Sequence, residues 1–515
     1  MADVTDAPTL RSLFIGLDRF GDRPALVHDG VTWTYGQLVR QANRLAHALH
    51  DLGVGPGSPV ALLMSNRVEY LVADQAVIRL GAAKVPLNDM LSASEIAFIL
   101  ADSGATVAIA DPGLLDATLD ADAPALRHVI AIGAAPEGTL SWDEALAAAP
   151  DGAAAPDVEP GPEHVGLIAY TGGTTGRQKG VVHTQRGLAV NMLAHVIEMG
   201  LLDDERLLIM SPLPHAAGFI AQAALLKGAV AFVESRFDPD LALDRIDRDR
   251  VTYTFMVPTM IYRLLDRAEE REVDLTSLRT ILYGAAPITR ERLEQGLNRL
   301  GPVFMQLYGQ SEAPDFVTRL RREDHDLAHP HRLTSCGQAT LLMQVAVLDD
   351  DDNELPPGQP GEIATRGPYV MTGYHNLPEK SAETLRGGWL HTGDLGQMDA
   401  DGYVYLMDRK NDMIISGGMN VYSTEVENVV QVCTGVGQVA VVGVPHPDWG
   451  EAVVAFVVPA GDGELDETTV LAHCRTELAA YKRPKAVRRI DALPVTAYGK
   501  IDKKALRKEW VGADW

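Results

Sequence analysis

The chain has 515 residues, 46% of them apolar and 22% charged, with 45 Lys and Arg against 70 Asp and Glu, a net charge of −25. At about 150 residues per domain this length allows two to four domains, and the ordinary globular composition excludes disordered, collagen-like and coiled-coil chains. So acidic a chain, with only 6% aromatic residues, is a poor match to nucleic acid or to an anionic membrane over its whole surface.

The first residues, MADVTDAPTLRSLF, carry acids where a signal peptide carries bases, and no apolar run approaches the ~18 residues of a membrane span. A cytoplasmic protein is expected. Leu38, Ala42, Leu45, Leu49 and Leu52 recur at helical spacing. Thr34 and Gln37 form a capping box ahead of them, and Gly53 stands where a C-terminal glycine belongs. Short apolar runs follow at 60–64, 83–87, 107–110 and 129–132, with a helical segment ending near Gly81. Runs of four or five residues suit strands buried on both faces. Residues 150–160 read as a loop.

After residue 200 strands are expected at 229–234, 251–257, 280–283 and 303–307, with amphipathic helices between them. The alternation predicts an α/β fold with doubly wound, mostly parallel sheets. Ligands of such sheets bind at the carboxyl ends of strands, and glycine-rich turns fall there at 171–180, 284–287 and 308–312. Near residue 335 the pattern changes to an antiparallel hairpin with an acidic, Pro/Gly-rich turn. Asp349–Asp352 lack the spacing of a calcium loop and read as a solvated turn. From 412 onward a small α+β domain is expected, with a strand pair at 439–444 and 453–458, a helix over 467–480 and a basic tail. Between 482 and 508 ten Lys and Arg face two Asp, a local balance of +8, and nearly all of these charges read as a solvated face. Cys336, Cys433 and Cys474 are too few and scattered for a disulfide framework and read as buried or inert thiols.

The strongest chemical signal is Tyr170-Thr-Gly-Gly-Thr-Thr-Gly-Arg-Gln-Lys-Gly180. Three glycines and three threonine hydroxyls between Thr171 and Gly176, after an apolar strand, offer N–H and O–H donors that can wrap a phosphate, and Lys179 adds a cation. The spacing fits neither a Walker loop nor a dinucleotide-binding fingerprint.

With this turn come PLPHAAG at 212–218, YGAAP at 283–287, YGQSE at 308–312, GEIATRGPYVMTGYHN at 361–376, GGWLHTGDLG at 387–396, DRKNDMIISGGMN at 408–420 and PVTAYGKID at 494–502. In this order the motifs resemble the adenylate-forming superfamily of acyl-CoA synthetases, firefly-type luciferases and peptide-synthetase adenylation domains, and stand-alone acyl-CoA ligases most. The resemblance implies a large N-terminal domain over 1–408, a hinge at 409–411 and a mobile small domain over 412–515. It implies a two-step reaction: a carboxylate and ATP give acyl-AMP and pyrophosphate, then a thiol, usually of coenzyme A, displaces AMP. A poor electrophile meeting a polyanion needs fixed donors, a cation and Mg²⁺.

By the same resemblance, Thr171, Thr174, Thr175 and Lys179 hold the phosphates, Ser311 contacts the α-phosphate and Glu312 holds Mg²⁺. Tyr308 stacks on adenine, with the backbone of Gly284, Ala285, Ala286 and Pro287 on its other side. Asp394 accepts the ribose hydroxyls, Arg409 contacts ribose or phosphate, and Lys500 bridges carboxylate and phosphate during adenylation. His215 borders the acyl carboxylate in a pocket with Ala216, Gly218, Tyr283, Gly284 and Gly309. Gly417, Gly418 and Asn420 line the tunnel for coenzyme A. Two residues depart from the family pattern: Gln178 replaces a proline, and Asn411 replaces the charged hinge residue. Alanine at 216 can bind neither an α-ammonium nor a ring hydroxyl, so apolar fatty, aryl or alicyclic acids are the expected substrates. No carrier domain is evident, so a peptide-synthetase module is not expected. An enzyme that passes acyl-AMP to a carrier protein or partner enzyme stays open as an alternative, as does a catalytically silent nucleotide-binding protein.

Overall fold

A computed structural model describes residues 7–171, 178–286, 288–410, 412–460, 466–496 and 501–510. Thr174, Thr175, Pro287, Asn411 and Lys500 lie outside them. The chain folds as two compact units. The described residues of Met1–Gly173, Arg177–Val345 and Thr365–Leu390 form one, and those of Ala346–Ala364 and His391–Trp515 form the other.

The first unit holds two sheets. In the eight-stranded sheet the central strands Pro59–Leu63, Ala83–Leu87, Val107–Ala110 and His128–Ala131 run parallel. Strand Val165–Thr171 joins parallel to Ala83–Leu87, and Lys179–Thr184 and Gly373–Tyr374 add antiparallel at that edge. The nine-stranded sheet has a parallel centre of Val230–Val233, Arg206–Ile209, Tyr253–Met256, Thr280–Tyr283 and Phe304–Gln310. Antiparallel strands close both of its sides.

The short apolar runs have the reason expected of them. Leu207, Ile209, Ala231 and Val233 pack into one core with the helices Tyr35–Asp51, Val68–Leu80 and Ala216–Leu226. Their neighbours Leu208, Val230 and Phe232 pack into a second core with the helices Pro239–Arg248, Pro258–Glu269 and Arg290–Leu300. Both faces are covered, so period-two alternation is masked. The helix at 35–51 carries the expected capping box, and the helix ending at Leu80 is closed by Gly81 at φ +61°.

Most residues of a four-stranded sheet, Gln344–Leu348, Gly361–Arg366, Leu390–Met398 and Val404–Arg409, group with the second unit. That unit also contains a five-stranded sheet built on the long pair Val436–His446 and Gly450–Pro459. That pair extends beyond the expected 439–444 and 453–458. Val439, Val441, Val453 and Val457 face the helices Ser423–Gln431 and Glu467–Glu477. Ala440, Val442, Val454 and Phe456 face Leu493 and Leu506.

Three details bear on the sequence reading. Cys433 and Cys474 sit in the core of the second unit, where burial raises both thiols, Cys474 to about 11. Asp349 accepts from the backbone N–H groups of Asp351 and Asn353, as a turn aspartate does. The basic tail is not simply a solvated face. Lys482 pairs with Glu425, Lys503 with Glu427 and Arg507 with Asp412, because acids on neighbouring elements point at it.

Candidate active site

Parallel register gathers the motifs of the first unit. Strands Arg206–Ile209, Tyr253–Met256, Thr280–Tyr283 and Phe304–Gln310 are neighbours running in one direction. The segments that follow three of them, with His215, with Gly284–Ala286 and with Ser311–Glu312, therefore emerge at one edge of the sheet.

The glycine-rich turn leaves the other sheet. Strands Val165–Thr171 and Lys179–Thr184 pair antiparallel, with Thr171 opposite Lys179 and Tyr170 opposite Gly180. Thr171 and Lys179 thus stand at the two feet of the turn. Tyr170 donates its hydroxyl to Asp102 at 2.6 Å. Gln178, where the family pattern has proline, donates Nε2–H to Glu95 Oε1 at 3.0 Å and so ties the turn to the helix Ala93–Ser103. A side chain at Gly180 has no room, since its Cβ would stand 2.9 Å from Ile168 and 3.0 Å from the Tyr170 ring.

Strand Gly373–Tyr374 lies against Lys179–Thr184, with Tyr374 opposite Val181. This brings Tyr374 to the foot of the turn. Lys179 Nζ lies 4.3 Å from the centre of the Tyr374 ring, and the Tyr374 hydroxyl donates to Glu312 Oε1 at 2.7 Å. Burial lowers the Lys179 pKa, and the charge of Glu312 opposes that shift. Burial and then Glu312 raise that of Tyr374. Ser311 and Glu312 form the two-residue loop between strands paired at Gln310 and Ala313. The loop is fastened from outside: His183 Nε2–H donates to the Ser311 carbonyl at 2.7 Å, and Met371 N–H to that of Glu312 at 2.8 Å. Burial pushes the His183 pKa down. Sequence reasoning missed Tyr374, His183 and Asn88, although Tyr374 stands inside the quoted GYHN motif.

Gly284 packs where a Cβ would come within 2.6 Å of the Leu307 carbonyl oxygen, and Ala285 takes the left-handed φ of +66°. Ala285 and Ala286 are exposed, and Tyr308 is buried at 8% exposure on the adjoining strand. His215 immediately precedes the helix Ala216–Leu226, and its Nε2 is 2.9 Å from Asn88 Nδ2. Ala216 follows it, half-buried.

The glycines assigned to the acyl pocket are filled by neighbouring backbone. A Cβ on Gly218 would meet the Leu213 oxygen at 2.3 Å, and one on Gly309 would meet Asp315 N at 2.6 Å. Tyr283 is fully buried in the second core and holds His325 Nε2 at 2.9 Å through its hydroxyl. The cavity beside Gly218 and Phe219 has a volume of about 30 Å³, room for a water molecule rather than an acyl chain.

The second unit carries Asp394 and Arg409 on paired strands, directly opposite each other. Arg409 Nε meets Asp394 Oδ1 at 2.7 Å, with Asp394 buried and the guanidinium nearly half exposed. Gly417 and Gly418 form the two-residue loop between Ile414–Ser416 and Met419–Val421, with φ of +60° and +78°. Two positive values in such a loop are what a tight hairpin demands. Asn420 is exposed and pairs with Ile415.

Among the described residues no cluster of three or more His, Cys, Asp or Glu has the geometry of a metal cage, and no helix is long and apolar enough to cross a membrane.

The AMP-binding enzyme family model matches residues 15–375, and that of the AMP-binding enzyme C-terminal domain matches 425–500. The chain is 41% identical over 489 residues to a feruloyl-CoA synthase of Amycolatopsis sp, covering 94% of this chain and 96% of that one. It is 38% identical over 519 residues to the medium/long-chain-fatty-acid–CoA ligase FadD8 of Mycobacterium tuberculosis, covering 97% and 90%. The solved structure of the amide bond synthetase McbA from Marinactinospora thermotolerans superposes with a TM-score of 0.88 at 32% identity, covering 98% of this chain and 100% of that one. With the motifs in order and the fold in agreement along nearly the whole chain, the protein belongs to the AMP-binding enzyme family.

Proposed function

We propose that this protein is an AMP-forming carboxylic acid–CoA ligase. The carboxylate attacks the α-phosphate of ATP to give acyl-AMP and pyrophosphate, and the coenzyme A thiol then displaces AMP to give the thioester. The observation that carries this reading is the cluster of Lys179, Tyr374 and Glu312 at the foot of the glycine-rich turn, an ammonium over the ring of one tyrosine and a carboxylate at its hydroxyl. The named CoA ligases among the relatives support the choice of acceptor.

In this reading Thr171, Thr174, Thr175 and Lys179 receive the phosphates, and Ser311 the α-phosphate. Tyr308 and the segment Gly284–Pro287 hold adenine, and Asp394 and Arg409 serve the ribose. Lys500 closes on the reacting oxygens in the first step, and Gly417, Gly418 and Asn420 serve coenzyme A in the second. The small domain turns about Asn411 between the steps. Glu312 fits Mg²⁺: it is a hard oxygen donor, and Mg²⁺ is commonly held by one or two carboxylates together with substrate phosphates rather than by an all-protein cage. When bound, the ion supplies neutralisation of phosphate charge.

The acid is an apolar one. Ala216 offers no partner for an α-ammonium, and the relatives named for their acids act on feruloyl and fatty acyl groups. ATP–pyrophosphate exchange across fatty, aryl, alicyclic and amino acids tests this: apolar acids are expected to drive exchange, and faster exchange with amino acids would overturn the assignment. The likeness to an amide bond synthetase favours a second reading, in which an amine or a partner protein takes the acyl group in place of coenzyme A.

A further inference from the structure

Asn88 is buried at 2% exposure and directly follows the strand Ala83–Leu87 of the eight-stranded sheet, whereas His215 follows a strand of the nine-stranded sheet. Their 2.9 Å contact therefore bridges the two sheets. An asparagine amide can be placed either way round, and its orientation has to come from its neighbours. Here the backbone decides it. Met90 N–H points at Asn88 Oδ1 at 2.9 Å, and only the carbonyl oxygen can accept that hydrogen. The NH₂ group is thereby turned to His215. It is a donor only, so His215 Nε2 must present a lone pair. A proton on Nε2 would set two donors face to face at 2.9 Å.

We infer that Asn88 is a positioning residue that holds His215 as the neutral tautomer protonated at Nδ1. His215 then offers a hydrogen-bond donor, not a base. This suits the chemistry, because the attacking carboxylate needs no base: it already carries its electron pair and needs one oxygen held while the other reacts. The inference rests on the reading of His215 as the residue that borders the acyl carboxylate.

The test is a long-range ¹H–¹⁵N correlation of the imidazoles in the full-length protein, with the His215 signals assigned by their loss in His215→Gln. In the wild type Nδ1 is expected at the shift of a protonated nitrogen and Nε2 at that of an unprotonated one. Asn88→Asp keeps the shape and the acceptor for Met90 N–H but replaces the donor by an acceptor, so Nε2 is expected to become protonated. Acid-dependent pyrophosphate exchange should then fall at least about tenfold in kcat, with KM for ATP within twofold and the melting temperature unchanged. A protonated Nε2 in the wild type, or unchanged His215 shifts in Asn88→Asp, would overturn the inference whatever the activity. If no acid supports exchange while the wild-type tautomer is as expected, it is the proposed function that fails and the tautomer assignment that stands.

Discussion

The Tyr374 hydroxyl donates to Glu312 Oε1 at 2.7 Å while the same ring lies 4.3 Å from Lys179 Nζ. One side chain from a two-residue edge strand thus orients the carboxylate proposed for Mg²⁺ and flanks the cation proposed for phosphate. Tyr374→Phe keeps the ring and deletes the donor. Loss of such an outer partner costs about 10–100-fold in metal affinity, so the Mg²⁺ concentration for half-maximal exchange should rise about tenfold. Glu312→Gln keeps the shape and loses the charge, and should fall further, with partial rescue at high Mg²⁺. Identical Mg²⁺ titrations for wild type and both variants would remove Glu312 from the metal site.

Lys500→Ala is expected to abolish adenylation and to spare thioester formation from supplied acyl-AMP. Losing a preorganised charge at a transition state typically costs about 10²–10³-fold. Single-turnover measurement of each half-reaction decides this. Exchange near the wild-type rate would transfer the role to another cation.

Much of the fold was legible because the signals are local. The strands at 83–87, 107–110 and 280–283 fall at the positions read from apolar runs, and the capping box at Thr34 marks its helix start. What stayed hidden depends on pairing between distant segments. Strand Gly373–Tyr374 is two residues long and exists through its contact with Val181 and Val182, so nothing in its own sequence marks it. Asn88 carries no signal in its own stretch of sequence, because its partner His215 lies 127 positions away. That a Cβ at 218, 284 or 309 would collide with neighbouring backbone depends on Leu213, Leu307 and Asp315, and no local signal shows it. The basic tail reads as a solvated face because its acidic partners lie on other elements.

Acid should destabilise the first unit through His325. This ring donates Nδ1–H to the Arg321 carbonyl at 2.7 Å and accepts from the Tyr283 hydroxyl at 2.9 Å, and burial pushes its pKa down to about 4. The folded ring stays neutral while the unfolded one titrates near its ordinary value of about 6.5. Stability is therefore undiminished above about pH 6.5 and falls as pH drops through 6.5 toward 4, by up to about 3 kcal/mol. His325→Gln should be less stable than wild type at pH 7.5, with the difference shrinking by pH 5 in urea unfolding. A pH-independent difference would mean that the ring does not titrate differently in the folded state.

Lys503 sets its ammonium 2.8 Å from Glu427 and 2.6 Å from the Ser423 hydroxyl. Burial works against its charge, but Glu427 and Asp408 outweigh that and raise its pKa. Lys503→Met takes the cation away from two carboxylates and should destabilise the second unit by about 3 kcal/mol, the lower end for breaking a buried pair. Lys503→Met combined with Glu427→Gln should recover part of the loss. Hydrogen exchange of the strands Val436–His446 and Gly450–Pro459 reports it. Protection equal to wild type in the single variant would show that the pair contributes nothing.

The most direct measurement follows AMP and thioester together when the protein is incubated with ATP, Mg²⁺ and a panel of apolar acids, with and without coenzyme A. Pyrophosphate exchange that depends on the acid is expected without coenzyme A, and equal yields of AMP and acyl-CoA are expected with it. Acid-dependent exchange without thioester would assign the acyl group to another acceptor, and the absence of exchange with every acid would contradict the adenylating activity itself.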